Sequence, residues 1–388
     1  MNFDLTPEQQ AIRDSIFKLC AKYDDAYWLE RDRDGRFPED FAADMAAGGW
    51  LGIAMPTEYG GAGLGVTEAA IMMQAVAESG AGQSGASAIH MNIFGPNPIV
   101  VFGTEEQKRR FLPPLIAGKD RSCFGVTEPN SGLNTSALQT RAAWNGNQYV
   151  VNGRKIWTST AQTANKILMI ARTGDPKPGG KAADGLSLFY TDFDRNYVEV
   201  TEIEKMGRKC VDSNSVFIDN LPVPPENLLG EEGKGFKYLL HGLNPERVLI
   251  AAEAVGLGRV ALKRAVQYAK ERIVFDRPIG QNQGIQHPLA KCWMDLEAAN
   301  LMMFKAAALY DAGLPCGAEA NTAKYLASEA GFRACEQAVL TLGGMGYAKE
   351  FQVERYFREI MIARIAPVSR EMILNFVSEQ VLELPKSY

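Results

Sequence analysis

The sequence predicts an α+β protein with an N-terminal α-helical domain, a small β-barrel domain in the middle and a C-terminal four-helix bundle. Three observations support this order. Apolar residues recur at helical intervals through residues 1–120, short alternating or β-branched runs separated by turn residues occupy residues 121–230, and long amphipathic stretches fill residues 231–388. A doubly wound dinucleotide-binding sheet would instead alternate strands and helices along the chain.

Helix starts and breaks define the first domain. Thr6, Pro7 and Glu8 are typical of a helix N-terminus, because a side-chain acceptor precedes a residue without N–H and an acidic residue. PEQQAIRDSIFKLCAKY then continues with helical spacing. Glycines and prolines in GGWLGIAMPTEYGGAGLG interrupt this pattern, which resumes in TEAAIMMQAVAESG and again between Gln107 and Ile116.

The middle of the chain contains several strand candidates. In QYVVNGRKIWTS, Asn152 and Gly153 stand between two strand-like runs and predict a two-residue hairpin turn. KILMIART, LSLFYTDF, YVEVTEI and SVFI are further strand candidates, and GDPKPGGKAADG predicts a surface loop. Together these segments predict a small β-barrel or sandwich.

The last part of the chain predicts four long helices. They correspond to ERVLIAAEAVGLGRVALKRAVQYAKERI, HPLAKCWMDLEAANLMMFKAAALYDAG, EANTAKYLASEAGFRACEQAVLTLGG and the segment ending at Leu382. Asn244 and Pro245 are typical of a helix start, which would place Glu246 in the first turn. Glu246 is therefore either part of a helix cap or a group that takes a proton.

Composition excludes several classes of function. The chain has 388 residues, a net charge of −5, and no run of about 18 apolar residues, so we expect neither nucleic-acid binding nor a membrane span. The N-terminal sequence lacks a basic start followed by an apolar run, which predicts a cytoplasmic protein. Three scattered histidines give little support to a metal site, so we expect none. The six cysteines, none in a CxxC pair, predict reduced core thiols: Cys20, Cys123, Cys210, Cys292, Cys316 and Cys335.

Four motifs occur in order along the chain: CFGVTEPNSG, NGRKIWTS, ERIVFDRPIGQNQGIQ and LGGMGYAKEFQVERYFRE. Through them the chain closely resembles the acyl-CoA dehydrogenase family of FAD-dependent enzymes, from about Leu5 to the C-terminal helix. The family's three-domain organisation agrees with the order of elements predicted above. The resemblance implies FAD as the cofactor and an acyl-CoA as the substrate.

The first two motifs carry the flavin contacts that the resemblance implies. It assigns Phe124, Val126 and Thr127 to the pyrimidine side of the flavin ring, and Trp157 and Ser159 to the region of N5. The edge of a flavin ring can be bound by the groups that these motifs offer. The first motif has a strand-end hydroxyl with open backbone groups, and the second has an indole beside two hydroxyls. An aromatic residue in the core of the barrel is the alternative interpretation of Trp157.

The third and fourth motifs imply an oligomer. The resemblance assigns Arg272, Phe275 and Gln283 to the pyrophosphate and adenine parts of a neighbouring subunit's FAD, and Gly344 to its adenine half. An arginine suits pyrophosphate because it gives paired, charge-assisted hydrogen bonds, although a solvated charge at a helix end is the alternative. A shared FAD requires more than one subunit, and the family is usually a dimer of dimers, so we expect a homotetramer. Ser369 lies near the family's flavin-contacting turn.

Two positions depart from the family pattern near FAD. Where the family often reads TEPxAGSD, this chain has Leu133 and Asn134, so a phosphate contact must come from Ser131, Thr135 or a backbone N–H. Leu340 replaces a common glutamine three positions before the GG pair, which removes an adenine-side hydrogen bond.

The largest departure concerns the catalytic base. Many family members carry the base about 23 residues after the GG pair, where this chain has Pro367, which cannot take a proton. Isovaleryl-CoA dehydrogenase and some long-chain relatives instead use a glutamate that precedes an arginine on a bundle helix, which corresponds to Glu246 and Arg247. We expect a helix N-terminus to favour the ionised form of Glu246 and a bound acyl chain to disfavour it. Glu253, two helical turns later, is the rival base.

The predicted function is α,β-dehydrogenation of an acyl-CoA to a trans-2-enoyl-CoA, in fatty acid metabolism of the β-oxidation type, with an electron-transfer flavoprotein as electron acceptor. Glu246 would take the α proton, while Arg247, Leu133 and His90 would contact the substrate. Core packing is the alternative for His90, and a surface charge is the alternative for Arg247. A non-oxidative acyl-CoA lyase or desulfinase-like enzyme with structural FAD, and a non-catalytic CoA or flavin-binding scaffold, are the alternative functions.

Overall fold

The structure is a computed structural model that describes residues 4–176 and 179–387, with only the backbone of Phe94. Its first part is helical. Thr6 caps the first helix: its hydroxyl accepts a hydrogen bond from the backbone N–H of Gln9, whose side chain accepts one from the backbone N–H of Thr6, as the sequence predicted. The helices are α1 (Pro7–Cys20), α2 (Asp25–Asp34), α3 (Glu39–Ala47), α4 (Val66–Val76), α5 (Gly82–Phe94), α6 (Asn97–Phe102) and α7 (Glu105–Ile116), with a π-helical turn (Ala77–Ala81) between α4 and α5.

The middle part is an eight-stranded, mainly antiparallel sheet. Its strands are β1 (Ser122–Gly125), β2 (Arg141–Trp144), β3 (Tyr149–Ser159), β4 (Lys166–Arg172), β5 (Leu186–Asp192), β6 (Val198–Glu202), β7 (Ser213–Val223) and β8 (Leu228–Leu229). They are ordered β6-β7-β3-β2-β4-β5-β8, and β1 pairs with β4 in parallel. Buried side chains of β3, β4, β5 and β7 form the core of this sheet.

The predicted hairpin turn at Asn152 and Gly153 is wrong, because both residues lie inside β3. The segments before and after Gly153 both pair with β7, and the register shifts at this glycine, so it marks a bulge. A side chain at Gly153 would collide with Thr140, which explains the glycine. The true turn connects β2 to β3, where the backbone N–H of Asn145 donates to the carbonyl of Gln148.

The last part is the helical bundle. It contains α8 (Gly235–Glu271), a short hairpin of β9 (Ile273–Val274) and β10 (Arg277–Pro278), then α9 (Gln283–Asp311), α10 (Gly317–Leu342), α11 (Val353–Ile365) and α12 (Arg370–Gln380). The fourth predicted helix is therefore two helices, separated by the segment that contains Pro367. Within the described ranges, no helix is both long and apolar enough to cross a bilayer.

The predicted helix start at Asn244 and Pro245 is also wrong. Helix α8 begins ten residues earlier, at Gly235, and Pro245 lies inside it. Proline removes the hydrogen bond to the carbonyl four residues earlier, and its ring crowds that carbonyl, but burial of Tyr238 and Leu239 stabilises the preceding turns. Glu246 therefore lies in the interior of a long helix.

One large core holds the two helical parts together. Buried side chains from α1, α4, α5, α8, α9, α10 and α11 belong to a single apolar cluster. All six cysteines are buried and free, in agreement with the prediction of reduced core thiols. Helix α8 runs through this cluster, so its side chains are held by neighbours on several sides.

Candidate active site

Glu246 is a buried carboxylate on α8. Its side chain is 8% exposed, and its Oε2 atom has no hydrogen-bond partner among the described residues. Burial raises the pKa of Glu246 to about 7, and the charges of His90 and Arg247 oppose this shift. Because Glu246 is far from either end of α8, the helix N-terminus does not offset the effect of burial, contrary to the sequence-based expectation. A carboxylate with this pKa can take and release a proton at neutral pH.

Glu253, the rival base, is already engaged. It is fully buried, and its Oε1 atom lies 2.6 Å from Nδ1 of His90 on α5. Burial lowers the pKa of His90. The neighbouring carboxylates, mainly Glu253 and to a smaller extent Glu246, raise this pKa above its ordinary value. The structure thus places His90, a predicted substrate contact, in an ion pair beside the candidate base.

Lys324 joins α10 to the segment that contains Pro367. This fully buried lysine on α10 donates a hydrogen bond of 2.7 Å from Nζ to the carbonyl of Val368, one residue after Pro367. Burial lowers the pKa of Lys324 to about 8, with a further contribution from Arg247, whereas Glu246 opposes the shift. The position where relatives carry their base therefore lies close to the same charged cluster as Glu246.

Arg247 completes this cluster. Its Nη1 atom donates to Oδ1 of Asn244 over 3.0 Å, and its buried Nε atom has no partner among the described residues. Burial lowers the pKa of Arg247, and Glu246 opposes the shift. A surface charge, the alternative interpretation of Arg247, is inconsistent with this environment, and a donor remains available for a ligand.

The end of β1 and a second register shift of β3, between Lys155 and Thr158, form the candidate flavin wall. The backbone N–H of Ile156 donates to the carbonyl of Thr127 over 2.9 Å, which aligns the two segments. Trp157 is 57% exposed and has a φ of +60°, so it is not a core aromatic residue. Val126, just after β1, and Ser159, two residues after Trp157, are half-buried, and Phe124 packs between the helical core and the sheet. The structure therefore brings these five predicted residues to one region.

A buried ion pair supports this wall from behind. The Nζ atom of Lys155 donates to Oε1 of Glu128 at 2.9 Å and to the carbonyls of Val126 and Ile170. Glu128 also accepts hydrogen bonds from two backbone N–H groups at the start of β2. Burial lowers the pKa of Lys155 to about 8, and Glu128 opposes that shift.

Substitution of Lys155 by methionine is expected to weaken FAD binding by about tenfold or more, because an unpaired buried Glu128 would disturb the segment of Val126. Equilibrium dialysis of FAD measures this effect. Lys166→Met is the matched control, since Lys166 pairs with the exposed Asp192 and the loss of a surface pair has little effect. Equal FAD affinities of the two variants would contradict the prediction.

The remaining predicted FAD residues lie apart from this wall. Arg272 follows the end of α8, Phe275 is 94% exposed with a φ of +52°, and Gln283 begins α9. A Cβ at Gly344, in the turn after α10, would meet no atom within 4 Å. The structure brings Arg272, Phe275 and Gln283 to the region around the β9–β10 hairpin, on the surface of the subunit.

Two other predicted residues have definite places. Leu133 is 64% exposed in the loop after β1. The hydroxyl oxygen of Ser369 accepts a hydrogen bond from the backbone N–H of Met372 and caps α12, so this oxygen is engaged locally.

The sequence-based prediction missed three buried or half-buried charged residues, of which Lys324 acts on Glu246 and the other two lie near α5. Lys324 is one of them: a lysine in an amphipathic pattern is typical of a helix surface, and nothing in its own helix indicates burial. Arg208, in the loop before β7, donates to Oγ of Ser87 over 2.8 Å, and no motif marked it. Glu359 of α11 is buried in the same core. Only their contacts in the folded structure identify them.

Fold and site together define a flavin-dependent enzyme class, and comparison with known proteins identifies it. Residues 6–119 match the model of the acyl-CoA dehydrogenase N-terminal domain, residues 123–221 that of the middle domain and residues 233–382 that of the C-terminal domain. The chain belongs to the acyl-CoA dehydrogenase family and is an oxidoreductase whose cofactor is FAD.

Individual relatives span the whole chain. The chain is 38% identical to the acyl-CoA dehydrogenase fadE12 of Mycobacterium bovis over 393 aligned positions, which cover 100% of this chain and 99% of the relative. Butyryl-CoA dehydrogenase from Megasphaera elsdenii has a TM-score of 0.93 at 31% identity, covering 98% of this chain and 100% of that chain. A glutaryl-CoA dehydrogenase in complex with glutaryl-CoA has a TM-score of 0.94 at 30% identity, covering 100% and 98%.

The residues present fit FAD. The side chains of Thr127, Ser159, Arg272 and Gln283 make no hydrogen bond to any described residue, so hydroxyl, amide and guanidinium donors remain free for a ring edge and a pyrophosphate. Trp157, 57% exposed, presents a large aromatic face to which a flat ring is complementary.

Proposed function

We propose that this enzyme converts an acyl-CoA thioester to a trans-2-enoyl-CoA, with Glu246 removing the α proton. The observation that carries the proposal is the buried Glu246 carboxylate, which has an unpartnered oxygen and a pKa of about 7, while one oxygen of Glu253, Oε1, is held by His90. Bound FAD supplies the acceptor for the hydride that leaves the β carbon. The proton moves to Glu246, and the remaining electron pair of the α carbon forms the new double bond.

Arg247 and the flavin wall position the reactants in this proposal. The free Nε atom of Arg247 is a donor beside Glu246 and suits a carbonyl oxygen of the acyl-CoA. Thr127, Trp157 and Ser159 hold the ring of the cofactor, and the dry environment of Glu246 excludes water from the proton transfer. A short, medium or branched acyl group is the proposed substrate, and the similarity to a butyryl-CoA dehydrogenase supports the short end of this range.

Purified FAD-containing protein mixed with butyryl-, isovaleryl-, octanoyl- and glutaryl-CoA tests the proposal. Bleaching of the flavin absorbance, together with turnover when an artificial electron acceptor is added, is the expected result. Conversion of an acyl-CoA without flavin bleaching would favour a lyase with structural FAD, and no reaction with any thioester would favour a binding scaffold.

Two assembly features belong to the same proposal. An electron-transfer flavoprotein is the proposed electron acceptor, in a pathway of fatty acid β-oxidation type. A homotetramer is the proposed assembly, because the bundle exposes large apolar side chains that a partner subunit would cover: Trp293, Met294, Leu301, Leu340 and Tyr347. Light scattering after size-exclusion chromatography measures the assembly state.

The activity is expected to fall below about pH 7, where Glu246 becomes protonated and cannot take the α proton. On the acid side, kcat/KM should decrease about tenfold for each pH unit. Because the raised pKa of Glu246 determines where kcat/KM falls, this fall should begin at a pH well above the ordinary pKa of a glutamate. A kcat/KM profile that stays flat down to pH 5 would contradict the role of Glu246.

A further inference from the structure

His90 and Glu253 form a buried pair next to the candidate base. Of the three histidines in the chain, only His90 is buried, and its Nδ1 atom lies 2.6 Å from Oε1 of Glu253. Their exposed fractions are 6% and 0%. At this distance from each other and away from water, an imidazole and a carboxylate are stabilised as a charged, hydrogen-bonded pair.

A second cation, Arg208, lies near the His90–Glu253 pair. Arg208 donates to Oγ of Ser87, one turn before His90 on α5. Burial lowers the pKa of Arg208, and Glu253 is the first of the groups that oppose this shift. Arg208 therefore adds a second positive charge to the surroundings of the His90–Glu253 pair.

We propose that the His90–Glu253 pair is a positioning element that holds a positive charge beside Glu246 and thereby keeps the base ionised before substrate binds. This inference rests on the proposed role of Glu246 as the base. His90 does not take the α proton and acts only through the carboxylate that does.

The charges around Glu246 come from three helices. Burial raises the pKa of Glu246, and three positive charges lower it: His90 on α5, which has the largest effect, Arg247 on α8 and Lys324 on α10. The negative charge of Glu253 on α8 raises this pKa further. Without a cation at His90, the anion of Glu246 would lose its leading electrostatic partner. A dry carboxylate would then remain protonated at neutral pH and would be inactive as a base.

The contact with His90 also distinguishes Glu253 from Glu246. Nδ1 of His90 occupies Oε1 of Glu253 at 2.6 Å, whereas no described side chain occupies Oε2 of Glu246. Glu253 lies seven residues after Glu246, two turns along α8. The proposal therefore gives the two glutamates different roles: Glu253 holds His90, and Glu246 takes the α proton.

Nitrogen NMR of ¹⁵N-histidine-labelled, FAD-containing protein tests the charge directly, and His241→Gln and His287→Gln assign the three signals. The expected result is an imidazolium signal for His90 at pH 7.5, which becomes neutral in Glu253→Gln. Linkage also predicts that Glu246→Gln lowers the pH at which His90 titrates, because the ionised Glu246 stabilises the imidazolium. A neutral His90 at pH 7 in the unmodified protein would overturn the inference.

The pH profile of flavin reduction provides the second readout. His90→Gln should move the acid limit of kcat/KM upward by about one pH unit, which is about a tenfold lower rate at pH 6. Glu253→Gln should move this limit less, because it also removes the carboxylate charge that raises the pKa of Glu246. Asp32→Asn is the matched control, because Asp32 is an equally buried carboxylate that pairs with Arg358, away from Glu246. An unchanged limit in both pair variants would overturn the inference.

The outcomes separate this inference from the proposed function. Flavin reduction at an unchanged rate in Glu246→Gln would contradict the proposed role of Glu246 as the base. The NMR signal of His90 reports the charge of His90 in the absence of substrate, so it tests the inference separately. If the pair variants do not fold, the unmodified protein and Glu246→Gln still provide the NMR test of coupling between His90 and Glu246.

Discussion

Replacement of Glu246 by glutamine is expected to slow flavin reduction by acyl-CoA about a thousandfold, because the amide cannot accept the α proton. Glutamine has nearly the same size and shape, so the packing around α8 should not change. The measurement is stopped-flow absorbance of the flavin after mixing with the best substrate. Retention of more than about a tenth of the rate would exclude Glu246 as the base.

The stability of the same variant is an internal control. The folded-state pKa of Glu246, about 7, lies above its ordinary value of 4.5, so Glu246 contributes stability below pH 4.5 that is lost as the pH rises through 7. Above this window, Glu246→Gln should be at least as stable as the unmodified protein, since it buries no charge. A variant that loses both activity and stability at pH 8 would instead indicate a structural role.

Much of the fold could be predicted because periodicity and turn residues are local signals. The three-part organisation follows from changes in apolar spacing along the chain, and Thr6 begins α1 as predicted. Local signals also misled at two places. Asn152–Gly153 favours a hairpin turn, but pairing of β3 with β7 on both sides of it prevails. Asn244–Pro245 favours a helix start, but packing of the preceding turns continues α8 through the proline.

The candidate site was less accessible to prediction from sequence because it depends on distant contacts. Residue motifs and family resemblance pointed to Glu246, and the structure adds the burial that raises its pKa. The partner of Glu253 lies 163 residues away, and the carbonyl that Lys324 binds lies 44 residues away. No spacing rule connects residues so far apart, and only packing of α5, α8 and α10 brings them together.

A third buried ion pair, Arg355–Glu359, determines how α5 is placed, and this makes Arg355 the residue with the largest expected effect on stability. Arg355 on α11 is 1% exposed, and its guanidinium contacts Glu359 at 3.0 Å. It also donates to the carbonyls of Gly80 and Ala81 in the π-helical turn before α5. Glu359 in turn accepts hydrogen bonds from the backbone N–H and the hydroxyl of Ser84, in the first turn of α5.

Arg355→Met is therefore expected to reduce the free energy of unfolding by about 3–5 kcal/mol, because it leaves the Glu359 carboxylate buried without its cation. It also removes the donor to Gly80 and Ala81, and unpaired buried carbonyls add to the cost. The urea midpoint and Tm of the FAD-saturated protein measure the change. Arg370→Met is the matched control, since Arg370 pairs with Glu371 at the surface, where the loss should be below about 1 kcal/mol.

The double variant Arg355→Met/Glu359→Gln distinguishes the buried charge from the lost packing. Removal of both charges should recover part of the stability that Arg355→Met loses, because no carboxylate then remains unpaired in the core. Since the pair fixes the turn that leads into α5, the single variant should also impair the pairing of His90 with Glu253 and lower the rate of flavin reduction. An Arg355→Met variant no less stable than Arg370→Met would show that water or another group compensates for the lost guanidinium.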